Sequence, residues 1–133
     1  MQLSSELIRR APATVAGGLA GMRELLALRD RPTALFCAND LMALGAHKAC
    51  SVAGVSIPRE LSLLGCDDIE MAQLVTPELS TIAVPTRELG ARAVRLLLKQ
   101  IESDGTLPPA SQVLAVKLVA RGTTAECPPA ESR

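Results

Sequence analysis

Two short stretches, TALFCAND at residues 33–40 and LSLLGCDD at 61–68, share one pattern: an apolar run that gives way at once to a polar pair. An apolar run this brief, bounded by turn signals, reads as a buried strand of a parallel sheet covered on both faces. The polar pair then falls beyond the carboxyl end of the strand, where loops diverge and helix N-termini point outward. That repetition restricts the chain to an α/β fold, with a parallel sheet and flanking helices. It also places the candidate chemistry at the strand ends.

The rest of the chain alternates in the same way. Residues 6–16 are ambiguous, with ELIRR the candidate for a short edge strand, and Gly17, Gly18 and Gly21 loosen the start of a helix carrying Leu19, Met22, Leu25 and Leu26. That helix is expected to end near Arg29, and Pro32 bars its return. TALFCA is expected to be a buried strand, followed by a helix from about Leu41 to Ala53, capped by Asn39 or Asp40 and released at Gly54. A second strand covers 61–66, a loop runs through VTPEL, and STIAV is a third strand. Pro85 and Thr86 open an amphipathic helix with Leu89, Ala93, Leu96, Leu97 and Ile101 on one stripe. After the turn SDGTLPP, QVLAVKLVA is a last β-like run, so that residues 1–125 form the folded unit and 126–133 a loose polar tail.

Composition removes several function classes. Fourteen Lys plus Arg balance fourteen Asp plus Glu, so no basic field exists to gather nucleic acid or an anionic membrane. No apolar stretch reaches the ~20 residues of a membrane span, and MQLSSELIRR lacks the apolar core of a secretory signal, which together point to the cytoplasm. The four cysteines, Cys37, Cys50, Cys66 and Cys127, show no metal-ligand spacing, and His47 has no thiol nearby in sequence, so neither a metal nor a cofactor is expected. Cys37 and Cys66 read as small core residues.

Asn39 and Asp67 are the candidate ligand contacts. Asn carries donors and an acceptor while Asp only accepts, a set that suits a neutral ligand rich in hydroxyl or N–H groups, such as a sugar or nucleoside. A hydrogen bond to a charged group contributes about 1.5–3 kcal/mol, enough for one carboxylate to decide recognition. The structural alternative is open for each: Asn39 and Asp40 can cap the helix, and Asp68 can cap or turn its loop, so Asp40 and Asp68 stand as cap or site support. An enzyme built on Asp67 and Asp68 is disfavoured, because adjacent residues leaving a strand diverge and no nucleophile or phosphate loop accompanies them.

The segments ANDLMALGA, P-x-x-LSLLGxDD and TPELSTI occur in this order, with VLAVKLVARGTTA further on, and over residues 15–125 the chain resembles the effector-binding region of the lactose-repressor (LacI/GalR) family. The resemblance implies part of a periplasmic-binding-protein-like type I lobe, incomplete at its N-terminus and without the helix-turn-helix of such regulators. It implies a sugar-like small-molecule effector, with Asn39 and Asp67 corresponding to polar ligand contacts. It also implies a homodimer, through the helix bearing Leu41, Met42, Leu44 and Gly45 and the loop from Ile69 to Leu79 bearing Met71 and Leu74. Operator DNA would be reached only through a headpiece absent from this chain. The alternative is a fragment of a periplasmic-type sugar-binding transport protein, which calls for an export signal that MQLSSEL does not provide. Two departures stand out: Cys66 takes the place where the family commonly has an aromatic residue, and Phe36 is the only aromatic in the chain. In the family the helix at 87–101 crosses to the other lobe, so its apolar stripe is expected to lack its partner here.

Overall fold

The computed structural model describes residues 4–103, 108 and 110–127. Its elements follow in the order α1 (Val15–Leu26), β1 (Ala34–Phe36), α2 (Asp40–Ala53), β2 (Ser62–Asp67), β3 (Ser80–Ala83), α3 (Thr86–Glu102) and β4 (Lys117–Val119), with short 3₁₀ turns at Ser5–Leu7 and Glu70–Gln73. The strands form one sheet in sequence order: β1, β2 and β3 are parallel and β4 runs antiparallel to β3. Register is fixed by Leu35 opposite Leu63, Gly65 opposite Thr81, and Ile82 opposite Leu118.

The core lies between the sheet and α2. Ala43, Ala46, Ala49 and Cys50 on the helix meet Leu61, Leu63, Leu79 and Cys37, with Met22 contributed by α1. Small side chains at helical spacing let α2 approach the sheet closely, as its composition implies, and Gly54 ends the helix in the left-handed conformation at φ 71°.

Gly17 and Gly18 do not loosen the start of α1, as the sequence suggested; they are buried inside the helix, where Gly17 N–H donates to Thr14 Oγ1 at 3.1 Å. A Cβ on Gly18 would stand 2.0 Å from the Met42 carbonyl oxygen, and one on Gly45 would stand 2.0 Å from that of Val15. The two helix backbones therefore touch where only hydrogen fits. α1 also stops at Leu26, short of Arg29.

Three further expectations need correction. ELIRR is not a strand: its first residues lie in the 3₁₀ turn and Ile8 is half exposed. β1 is not buried, because it ends the sheet and leaves Phe36 59% exposed. Of QVLAVKLVA only Lys117–Val119 pairs, and Val113 is 92% exposed. α3 forms where its periodicity places it but buries no residue, with Leu89, Leu97 and Ile101 exposed. Most of the turn SDGTLPP and residues 128–133 of the tail lie outside the described residues.

Candidate functional site

The two polar pairs emerge from neighbouring parallel strands at the same end of the sheet, so Asn39, leading from β1, and Asp67, ending β2, both stand at its carboxyl end. Asn39 caps α2: its Oδ1 accepts the Met42 N–H at 2.9 Å, and its Nδ2 donates to the Ala13 carbonyl at 3.3 Å. The capping role is thus occupied by Asn39, not Asp40. An amide has two donors and two acceptor positions, so one of each remains for a ligand.

Asp40, the first residue of α2, is fully buried. Its Oδ1 accepts from Thr81 Oγ1 at 2.6 Å and its Oδ2 accepts from Ile69 N–H at 3.0 Å. Gly65 makes room for it, since a Cβ there would lie 2.1 Å from Asp40 Oδ1. Asp40 therefore ties the loop after β2, and β3, to the start of α2.

The turn after β2 is unusual. Asp67 and Asp68 follow one another at φ 126° and 59°, conformations that L-residues rarely adopt and that cost of order 1–3 kcal/mol each. Asp67 is exposed at the strand end, whereas Asp68 is partly buried and its Oδ1 accepts from Arg121 Nη2 at 2.7 Å. The two carboxylates thus have different surroundings: Asp68 is paired and Asp67 is presented. Arg121 was not legible as a site residue, and neither were Thr81 and Thr123. Thr123 Oγ1 accepts from Ser80 N–H at 2.8 Å and donates to the Leu63 carbonyl at 2.7 Å, which lays the segment RGTT along β2 and β3. The only signal was that segment's place in the family-like string.

The interface candidates divide. Met71 and Leu74 are exposed, Leu74 at 75%, and Leu41, Met42 and Leu44 are half-buried on α2. Gly45 is instead buried against α1 within the chain. On α2, His47 Nε2 is buried without a hydrogen-bond partner, and burial lowers its pKa, partly opposed by the Thr76 backbone. Burial pushes the Cys37 thiol up to about 12, helped by Cys50 and Asp40, and the Cys50 thiol up to about 11. The described residues contain no group of three or more His, Cys, Asp or Glu that could hold a metal ion. None of the described helices is long and apolar enough to cross a membrane. A hollow of about 640 Å³ is mostly apolar and lies beside β1, lined by Leu7, Ile8, Met22, Leu25, Ala34 and Phe36 among others; neither Asn39 nor Asp67 lines it.

Known proteins resemble this arrangement over most of its length. A family model described as the periplasmic binding protein-like domain matches residues 2–124. The ribose operon repressor of Haemophilus influenzae is 47% identical over 87 residues, which are 65% of this chain and 26% of that protein. The transcriptional repressor CytR of Escherichia coli K12 is 36% identical over 128 residues, 96% of this chain and 37% of that protein. The chain thus spans well under half the length of the curated relatives it matches. Among solved structures, a CelR–cellobiose complex superposes with a TM-score of 0.85 at 31% identity, over 92% of this chain and 37% of that one. A LacI family regulator from Enterococcus faecalis with bound ribose gives 0.77 at 33% identity, over 87% and 42%.

Proposed function

Since the chain belongs to the periplasmic binding protein-like domain family and matches LacI/GalR-type regulators along most of its length, we propose that it is the effector-sensing and dimerising portion of such a regulator. The observation that carries this reading is the presentation of Asp67: an exposed carboxylate at the carboxyl end of β2, followed by a restrained Asp68 and Ile69, at the same end of the sheet as an Asn39 amide with spare capacity. An acceptor-only group beside a mixed donor and acceptor matches the hydroxyls of a sugar or of a nucleoside's ribose. Ribose and cellobiose occupy two structural relatives, which makes a sugar-like effector the favoured class. The relatives named are regulators, which favours this reading over a transport protein.

Dimerisation is assigned to Leu41 and Leu44 on the outer side of α2 together with Met71 and Leu74 of the following loop, which offer exposed or half-exposed apolar surface. DNA binding, an activity of the whole regulator, would need elements beyond the span matched here. No catalytic role is assigned: Asp68 is spent on Arg121, and no nucleophile stands beside Asp67 among the described residues.

Titration of ribose into the isotope-labelled chain tests this reading. Shifts concentrated at Asn39, Asp67 and Ile69, lost in Asp67→Asn, are the expected outcome. Ribose shifts that persist unchanged in Asp67→Asn would refute the assignment of this carboxylate.

A further inference from the structure

We propose that Arg121 is the positioning residue that sets the Asp67–Asp68 turn and leaves a single carboxylate facing the ligand. This rests on the reading of Asp67 as the ligand contact and adds to it how that contact is held and which ligand class it selects. Arg121 is a side chain only 12% exposed, reaching back from the C-terminal segment to a turn fifty-three residues earlier in the chain. Its Nη2 donates to Asp68 Oδ1 at 2.7 Å and its Nη1 to the Leu79 carbonyl at 2.9 Å, while its own N–H donates to Ser80 Oγ at 2.9 Å. One planar guanidinium thus joins the end of β2 to the residue that precedes β3. Glu78 lies at the edge of the group, 3.9 Å from Nε.

Two consecutive aspartates at positive φ would relax without such restraint, since the strained backbone persists only where surroundings over-determine it. Asp40 holds the Ile69 N–H, so both residues that follow Asp67 are restrained, while Asp67 itself stands in register with Ala83 of β3 and cannot follow its preferred backbone. Arg121 does not touch Asp67; it acts through Asp68. The pairing also divides the two carboxylates. With Asp68 matched by Arg121, Asp67 is the one of the two without a salt bridge among the described residues, an arrangement for a neutral polyhydroxylated ligand. Two adjacent unpaired carboxylates would instead favour a cation.

A lysine can supply the charge but not the planar fork that reaches a carboxylate and a carbonyl together. The test compares the wild-type chain with Arg121→Met, Arg121→Lys and Asp68→Ala, reading the three-bond HN–Hα coupling of Asp67, the hydrogen exchange of Leu63, and affinity for ribose. Arg121→Met and Asp68→Ala should lose the positive-φ coupling at Asp67 and weaken ribose binding at least tenfold, while Leu63 keeps its protection. Arg121→Lys should restore part of both. A wild-type Asp67 coupling in Arg121→Met and Asp68→Ala would overturn the proposal. Should Arg121→Met fail to fold, Asp68→Ala, which leaves the bond to the Leu79 carbonyl in place, decides the point. If the wild-type chain binds no ribose, the ligand reading fails separately, and the couplings still settle whether Arg121 positions the turn.

Discussion

Asp40 Oδ1 and Thr81 Oγ1 lie 2.6 Å apart and both residues are fully buried, which joins the first turn of α2 directly to β3. The same carboxylate holds Ile69 N–H, so one side chain links three segments that are distant in sequence. Asp40→Ala should therefore cost more than a typical surface change, because an unsatisfied buried donor costs about 1–3 kcal/mol and two would be exposed here. Urea unfolding should show a loss of several kcal/mol for Asp40→Ala and a smaller one for Asp40→Asn. Non-additive effects of Asp40→Asn and Thr81→Val in a double-mutant cycle would measure the coupling; strict additivity would show that the bond contributes nothing specific.

Gly45 and Gly90 both sit inside helices and should respond oppositely to alanine. At Gly90 a Cβ meets nothing within 4 Å, so Gly90→Ala should raise helicity of α3 by the ordinary propensity gain of about 0.5–1 kcal/mol. At Gly45 the added carbon collides with the Val15 carbonyl, and the helix pair must separate at an overpacking cost of about 1–3 kcal/mol. Circular dichroism melts of both variants check the contrast. A stabilised Gly45→Ala chain would mean that α1 and α2 can shift apart freely.

The buried thiols make stability depend on alkaline pH. Cys37 and Cys50 are raised from 9.0 to about 12 and about 11, chiefly by burial, so the folded state keeps protons that the unfolded chain releases. Their contribution is complete below pH 9 and is lost as pH rises through the range from 9 toward 12. The melting temperature should fall across that window, and less steeply in Cys37→Ala. Iodoacetamide at neutral pH should label exposed Cys127 first and reach Cys37 and Cys50 only on unfolding.

α3 carries Leu89, Leu97 and Ile101 exposed by half or more, and none of its residues is buried. Burial of a Leu or Ile side chain contributes about 1.5–3 kcal/mol, so this stripe provides a strong drive for self-association. Light scattering coupled to size exclusion at low micromolar concentration should find a species larger than the monomer, shifted toward monomer by Leu97→Glu with Ile101→Glu. A dispersed monomer that binds no hydrophobic dye would contradict this.

Local patterns in the sequence were faithful guides wherever the cause of structure was itself local. The Asn39 cap, the Gly54 exit and the start of α3 after Pro85 all follow from short-range chemistry. Exposure of β1 was not legible, because TALFCA looks the same whether one strand or two lie beside it. The glycines of α1 were misread for a related reason: a residue lacking Cβ signals either freedom or contact, and only the position of α2 decides which. Arg121 and the partners of Asp40 escaped notice because these pairs span the sheet, and such long-range polar pairs leave no periodic trace.

β1 closes the sheet without closing its hydrophobic pattern. Among the described residues it pairs with β2 alone, and along its other side runs the apolar hollow floored by Met22 and Leu25. Strands that end sheets in water are commonly blunted by charge, proline or a bulge, and Ala34, Leu35 and Phe36 supply none of these. Their free main-chain groups and smooth side chains specify no register, so this border behaves as an open seam that any extended apolar segment can enter. Three residues at one margin of the sheet thus add a second place for self-association to the exposed stripe of α3, and neither depends on the strength of the core.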